Sequence, residues 1–143
     1  MNPYSQHSKL AAYRSVSAHG AVADADPHSL VLILFDAILG RLTAARSCIE
    51  NGDVTRKAGL LHSSVVLLAE LRGSLDVHRG GSLAQNLSEL YEYMTRRLVQ
   101  ANAANDAGAV SEVLGLLGDI RAAWAAIGPE VRSDSMPAAS GAR

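Results

Sequence analysis

The chain has little of what disulfide-linked, membrane-spanning and nucleic-acid-binding proteins depend on. Cys48 is the only cysteine, so no disulfide can form within the chain, and this suggests a reducing compartment. The longest apolar run, Leu30 to Phe35, is far too short to cross a bilayer, and no signal-peptide pattern stands at the start. A net charge of −1 favours neither nucleic acid nor an anionic membrane. These absences predict a cytoplasmic protein that inserts into no membrane and binds no nucleic acid.

Residues that commonly carry chemistry are scarce or unsuitably spaced. No glutamate is followed three positions later by histidine, as helical di-iron sites require, so neither a metal nor another cofactor is expected. Cys48 lacks the features that activate a thiol and is predicted to be a small packed residue. The histidines at positions 7, 19, 28 and 78 are predicted to be solvated. We therefore predict that the chain is not an enzyme.

His62 deserves separate consideration because a histidine on a bundle helix can carry a phosphoryl group. The run His62-Ser63-Ser64-Val65-Val66 contains no cation that would hold the phosphate. A partly exposed helix histidine is the favoured interpretation. A phosphotransfer bundle that uses His62 remains as an alternative function.

Apolar residues are abundant, and they recur at helical spacing in four stretches. Signals for helix starts and stops separate these stretches: Asp26-Pro27, Asn51-Gly52-Asp53, Gly80-Gly81, Asn105-Asp106 and Gly128-Pro129. The predicted helices run over 27–50, 53–76, 82–102 and 107–127.

Helices of about twenty residues joined by short breaks must run antiparallel to their neighbours. The length of 143 residues favours one domain. The predicted fold class is all-α, an antiparallel up-down four-helix bundle over 27–127. Residues 1–26 are predicted to form an N-terminal arm with a short helix, and 128–143, rich in Pro, Ser, Ala and Gly, a disordered tail.

The first two predicted helices carry more apolar residues than one buried face requires. The surplus has two interpretations of equal standing: ordinary packing in an alanine-rich bundle, or a groove for a partner helix. Self-association into a homodimer through the same face is a third interpretation. The candidate partner-binding residues are Leu10 and Tyr13 in the arm, Ile33 and Phe35 in the first helix, and Leu60, Leu67 and Leu71 in the second.

Residues 80–102 follow the pattern GG-x-LA-x-NL-x-x-LY-x-YM-x-RRL-x-x-AN, which closely resembles the signature of the FliS family of flagellar secretion chaperones. Further similarities occur in the same order as in that family: Tyr4, Tyr13, Asp26 to Leu30, Leu34 to Asp36, Ala45, Ile49 to Asp53, Glu70 to Asp76, Asp106 and Trp124. Together these pieces extend from about Tyr4 to Ile127.

This resemblance implies an antiparallel bundle with a short N-terminal helical cap and no enzymatic activity. It also implies that the chain binds the C-terminal segment of newly made flagellin, which is disordered alone and becomes helical around the chaperone. Such binding prevents premature polymerisation and supports export by the flagellar type III secretion apparatus. Other flagellar export or regulatory proteins are further candidate partners. In this context Leu10 and Tyr13 are interpreted as a displaceable cover over a groove formed by the other candidate residues.

Overall fold

Four helices make up the part of the chain that the computed structural model describes, residues 26–127 without the side chains of 77–79. They are α1 (Pro27–Asn51), α2 (Val54–Gly73), α3 (Val77–Ala104) and α4 (Ala107–Ile127). The predicted all-α class is confirmed, and the predicted helix bounds agree within a few residues. The arm before Asp26 and the tail from 128 onward lie outside the described residues.

The helices form an up-down bundle in which each one packs against its neighbours in sequence, and α4 closes the ring by packing against α1. Connections of two or three residues leave each helix antiparallel to the next. Apolar side chains from all four helices meet in one core: Leu34, Ile38, Leu42 and Ala45 of α1, Leu61 and Leu68 of α2, Met94, Leu98 and Ala101 of α3, and Val110, Val113 and Leu117 of α4.

Aspartate side chains begin three of the helices, as predicted. Asp26 Oδ1 accepts from the backbone N–H of Ser29 at 2.7 Å, with Pro27 as the first residue of α1. Asp53 accepts from the N–H of Arg56 at 3.2 Å, and Asp106 from the N–H of Ala109 at 3.1 Å. Each bond satisfies an N–H group that has no partner within its own helix.

Residues with positive φ end two of the helices at the same end of the bundle. Gly52 ends α1 at φ +78°, and the N–H of Asp53 then reaches back to the carbonyl of Cys48 at 2.9 Å. Asn105 follows α3 at φ +52°, and the N–H of Asp106 bonds the carbonyl of Ala101 at 3.1 Å. Both exits follow the Schellman pattern, which reverses the chain within two residues.

Two polar residues occupy core positions of α2. Lys57 and Ser64 are buried, at the helical spacing that also contains Leu61, Leu68 and Leu71. Lys57 Nζ donates to the carbonyl of Asn102 at 2.9 Å and to Oδ1 of Asn105 at 2.6 Å. Its charge thus lies at the C-terminal end of α3, where the helix dipole favours a cation.

Gly81 interrupts α3 near its start. Its φ of +57° and ψ of −135° depart from helical values, so Val77–Ala104 consists of a short first turn and a long second helix. A residue with a Cβ rarely adopts this conformation. The break predicted from Gly80-Gly81 is confirmed, although the short turn before it is helical.

Replacing Gly81 with alanine should destabilise the bundle by about 1–3 kcal/mol, because the conformation is strained for any residue with a side chain. A Cβ at this position would meet no other atom within 4 Å, so the cost is conformational rather than steric. Gly59→Ala, in open space within α2, is the matched control and should be stabilising by about 0.5–1 kcal/mol. Urea unfolding of both variants measures the difference in the free energy of unfolding. Equal stabilities would contradict the conclusion that the backbone at Gly81 disfavours a side chain.

Replacing Lys57 with methionine should lower the free energy of unfolding by about 2 kcal/mol, because the carbonyl of Asn102 and the amide oxygen of Asn105 lose their buried donor. Arg96→Met changes a largely exposed cation on α3 and should stay within about 0.5 kcal/mol of the wild type. Chemical denaturation provides the comparison. A Lys57→Met chain as stable as the Arg96→Met chain would show that the buried bonds contribute nothing.

Candidate partner-binding surface

Small and half-buried side chains line the seam between α1 and α2. Ile33, Ala37 and Ala44 share one side of α1 because four and seven residues separate them. Cys48 lies on the same side, and its Sγ is 3.9 Å from Nη1 of Arg56 on α2, so this side of α1 adjoins α2. Leu60 stands one turn beyond Arg56. We call Ile33, Ala37, Ala44 and Leu60 the α1–α2 seam.

The seam is apolar without being sealed. All four of its side chains are half-buried, and Ile33, Ala37 and Leu60 pack against the core from outside. Ala37 and Ala44 carry only a methyl group each, whereas Ile33 and Leu60 carry larger apolar side chains. A partly exposed apolar surface of this kind is a candidate contact for a helix with one apolar face.

The other predicted groove residues lie deeper than the pattern indicated. Phe35 is 1 % exposed, and Leu67 and Leu71 are each 2 % exposed, so all three belong to the core of this bundle. For Leu67 and Leu71, the pattern took α2 to face inward along a different line, which missed the buried Lys57 and Ser64. For Phe35, the buried face of α1 is wider than one stripe, because it includes His28 and Phe35 as well as Leu34 and Ile38. Their role in partner binding stays a prediction, as does that of Leu10 and Tyr13, which lie outside the described residues.

His28 and Trp124 connect the start of α1 to the end of α4. Nε2 of His28 and the carbonyl of Trp124 are 2.8 Å apart, and Nε1 of Trp124 donates to the carbonyl of His28 at 3.0 Å. The two rings stack with centroids 5.0 Å apart. The prediction that His28 is solvated was wrong, because it is 3 % exposed. The pattern gave no signal for this burial, because the partner of His28 lies 96 positions away in the chain.

Charged side chains bridge the remaining seams. Arg121 makes a bidentate pair with Asp36 between α4 and α1, at 2.7 and 3.3 Å. Arg72 of α2 donates to Ser88 of α3 at 2.8 Å and lies 3.7 Å from Glu92. These pairs lie at the rim of the bundle, where they set the alignment of neighbouring helices more than they stabilise the fold.

Glu112 of α4 receives two side chains from α3. Tyr93 donates its hydroxyl to Oε2, and Arg97 Nε donates to Oε1 at 2.7 Å. The hydrogen bond from Tyr93, followed by that from Arg97, lowers the pKa of Glu112. The same bond to Glu112 raises the pKa of Tyr93. By contrast, burial alone raises the pKa of Tyr91, on the core side of α3.

The residues considered for chemistry are dispersed. Across residues 26–127, apart from the three side chains left out, no three His, Cys, Asp or Glu side chains form a group that could hold a metal. His62 is exposed, as expected, and has no hydrogen-bond or ion-pair partner among these residues. Cys48 is buried, which confirms the prediction of a packed thiol.

α1 is long and apolar enough to cross a membrane by length and composition alone. Core helices of soluble proteins can have the same character, and seven side chains of α1 are buried within the bundle. The sequence prediction rested on uninterrupted apolar runs and therefore did not single out this helix.

Over residues 26–127 the fold defines a class of protein, the all-α up-down four-helix bundle. A family model described as flagellar protein FliS matches residues 9–131. The flagellar secretion chaperone FliS of Salmonella typhimurium is 46 % identical over 124 residues, covering 86 % of this chain and 92 % of its own. FliSB of Pseudomonas aeruginosa is 41 % identical over 112 residues, covering 78 % and 89 %, and FliS of Bacillus subtilis 38 % identical over 104 residues, covering 73 % and 77 %.

The chain therefore belongs to the FliS family of flagellar secretion chaperones, which are not enzymes. The resemblance predicted from residues 80–102 is confirmed. In the structure these residues form most of α3, whose Met94, Leu98 and Ala101 lie in the core. The signature thus includes residues that hold the bundle together.

Glu112→Gln should reduce stability at neutral pH and converge with the wild type in acid. Folding lowers the pKa of Glu112, so its contribution is present above the unfolded pKa, near 4.3, and disappears as the pH falls through the folded value. Thermal unfolding between pH 7 and pH 3 should show the gap in melting temperature narrowing below about pH 4. A gap that stays constant with pH would exclude a contribution from the ionised carboxylate.

Proposed function

We propose that this chain is a cytoplasmic export chaperone that binds the disordered C-terminal segment of flagellin. In this role it prevents premature polymerisation and supports export through the flagellar type III secretion apparatus. The half-buried apolar seam between α1 and α2 is the observation that carries the proposal, because it gives a client helix a surface to fold against. The family of the chain and the names of its relatives support the same role.

The chemistry of the seam suits a client that is disordered when free. Such a segment loses conformational entropy on binding and needs a long apolar contact to offset that loss. α1 provides 25 residues of helix, a length of about 38 Å. Ala37 and Ala44 allow a client helix to approach closely, and Ile33 and Leu60 provide larger apolar contacts near the two ends of the seam.

Residues 1–25 join α1 at the end where Ile33 lies. From Leu10 to Asp26 an extended chain spans about 50 Å, so the arm is long enough to reach any point on the seam. We propose that Leu10 and Tyr13 cover the seam in the free chain and that the client displaces them. Leu67 and Leu71 lie in the core and contribute chiefly by supporting α2, whereas the buried Phe35 lies on the side of α1 that His28 shares.

Leu60→Lys and Ile33→Lys should each weaken binding of a flagellin C-terminal peptide by about tenfold or more, because the ammonium group would be desolvated in an apolar contact. Val99→Lys is the matched control, since Val99 is 58 % exposed on α3 and lies away from the seam. Calorimetric titration measures affinity, and circular dichroism checks that each variant is folded. Full affinity of both seam variants would overturn this site.

Sedimentation velocity, measured with and without the peptide, separates the proposal from self-association. A seam that serves a homodimer should give a sedimentation coefficient that rises with the concentration of the chain alone, and Leu60→Lys should abolish that rise. A seam that serves flagellin should leave the free chain monomeric while the complex with peptide sediments faster.

A further inference from the structure

Burial in α4 stops halfway along the helix. Its buried residues are Ala109, Val110, Val113 and Leu117, all before Gly118. From Gly118 to Ile127 no side chain is buried, and the larger apolar ones, including Ile120 and Trp124, remain half-exposed. We call residues 118–127 the terminal strap. It has far less core contact than the first half of its own helix.

Glycine weakens the helix where the strap begins. Gly115 and Gly118 both have helical φ, and a Cβ placed on either would meet no atom within 4 Å. Close packing therefore does not require glycine at these two positions. Each glycine lowers helix propensity relative to alanine, so the connection between the two halves of α4 is intrinsically weak.

Two contacts with α1 retain the strap, in addition to the packing of Ile120 and Trp124 against the edge of the core. One is the reciprocal pair of His28 and Trp124, with its stacked rings and two hydrogen-bonding contacts. The other is the bidentate pair of Arg121 with Asp36. Both join a residue of the strap to a residue of α1, so both are lost when the strap leaves α1.

We propose that the terminal strap detaches from α1 as one unit while the rest of the bundle remains folded. Regions with few buried apolar contacts open at a lower free energy than the core. Seven residues separate His28 from Phe35, so both face the same side of α1, and detachment exposes the surface that contains Phe35. Use of that surface by a client rests on the proposed function, whereas detachment is a property of the free chain.

Trp124 is the only tryptophan, which makes its fluorescence a reporter of the strap. In a urea titration of the full chain, the fluorescence change should occur at a lower midpoint than the loss of helical circular dichroism. Coincident transitions would overturn the proposal, because they would show that the strap and the core unfold together.

Hydrogen exchange measured by mass spectrometry distinguishes a unit from simple fraying. Asp36→Asn should raise exchange of all amides in 120–127 by a similar factor, about threefold, and leave 109–117 unchanged. Gly118→Ala should slow exchange of the same amides. Glu112→Gln, which breaks a contact of the first half of α4, serves as the control and should leave 120–127 unchanged.

Exchange rates that rise gradually toward Ile127 and do not respond to Asp36→Asn would indicate ordinary fraying. They would refute the proposal that the strap detaches as one unit. All these measurements use the chain without flagellin. Their results therefore do not depend on whether the α1–α2 seam binds a client.

Discussion

The buried ammonium group of Lys57 determines how one end of this bundle is built. It lies between the start of α2 and the end of α3, and it binds the carbonyl of Asn102 and the side chain of Asn105. The same end contains the two tight reversals at Gly52 and Asn105. A buried charge is tolerated only where its hydrogen bonds are satisfied, so the turn after α3 must hold its geometry for the fold to persist. The geometry of this end is therefore fixed by the hydrogen bonds of Lys57 and by the two reversals.

The opposite end is built differently. The chain enters at Asp26 and leaves after Ile127, and α4 has no buried side chain beyond Leu117. His28 and Trp124 bond reciprocally there, between the first turn of α1 and the last turn of α4. The contrast gives the bundle one firm end and one end that opens more readily. For a chaperone that must hold a client and later release it for export, an end of lower stability is a suitable place for conformational change.

Much of the architecture was predictable because helix ends carry local signals. The aspartates at 26, 53 and 106 and the glycine at 52 act on backbone groups within a few residues, so their effect can be read without knowledge of the fold. The candidate site was predictable only in part. Ile33 and Leu60 are half-buried on one seam, but Phe35, Leu67 and Leu71 are in the core. Leu67 and Leu71 were misplaced because the inward face of α2 includes Lys57 and Ser64. Apolar periodicity cannot place a face whose members are polar.

Within residues 26–127, the sequence by itself determined the number of helices, their approximate limits and their antiparallel order, and through residues 80–102 it determined the family. Local backbone chemistry and helical period suffice for these, since both act over a few residues. Only the tertiary structure decided which side of each helix faces inward, that His28 is buried against Trp124, and that Lys57 joins two turns. These depend on contacts between residues 45 to 96 positions apart, which form only when all four helices pack at once.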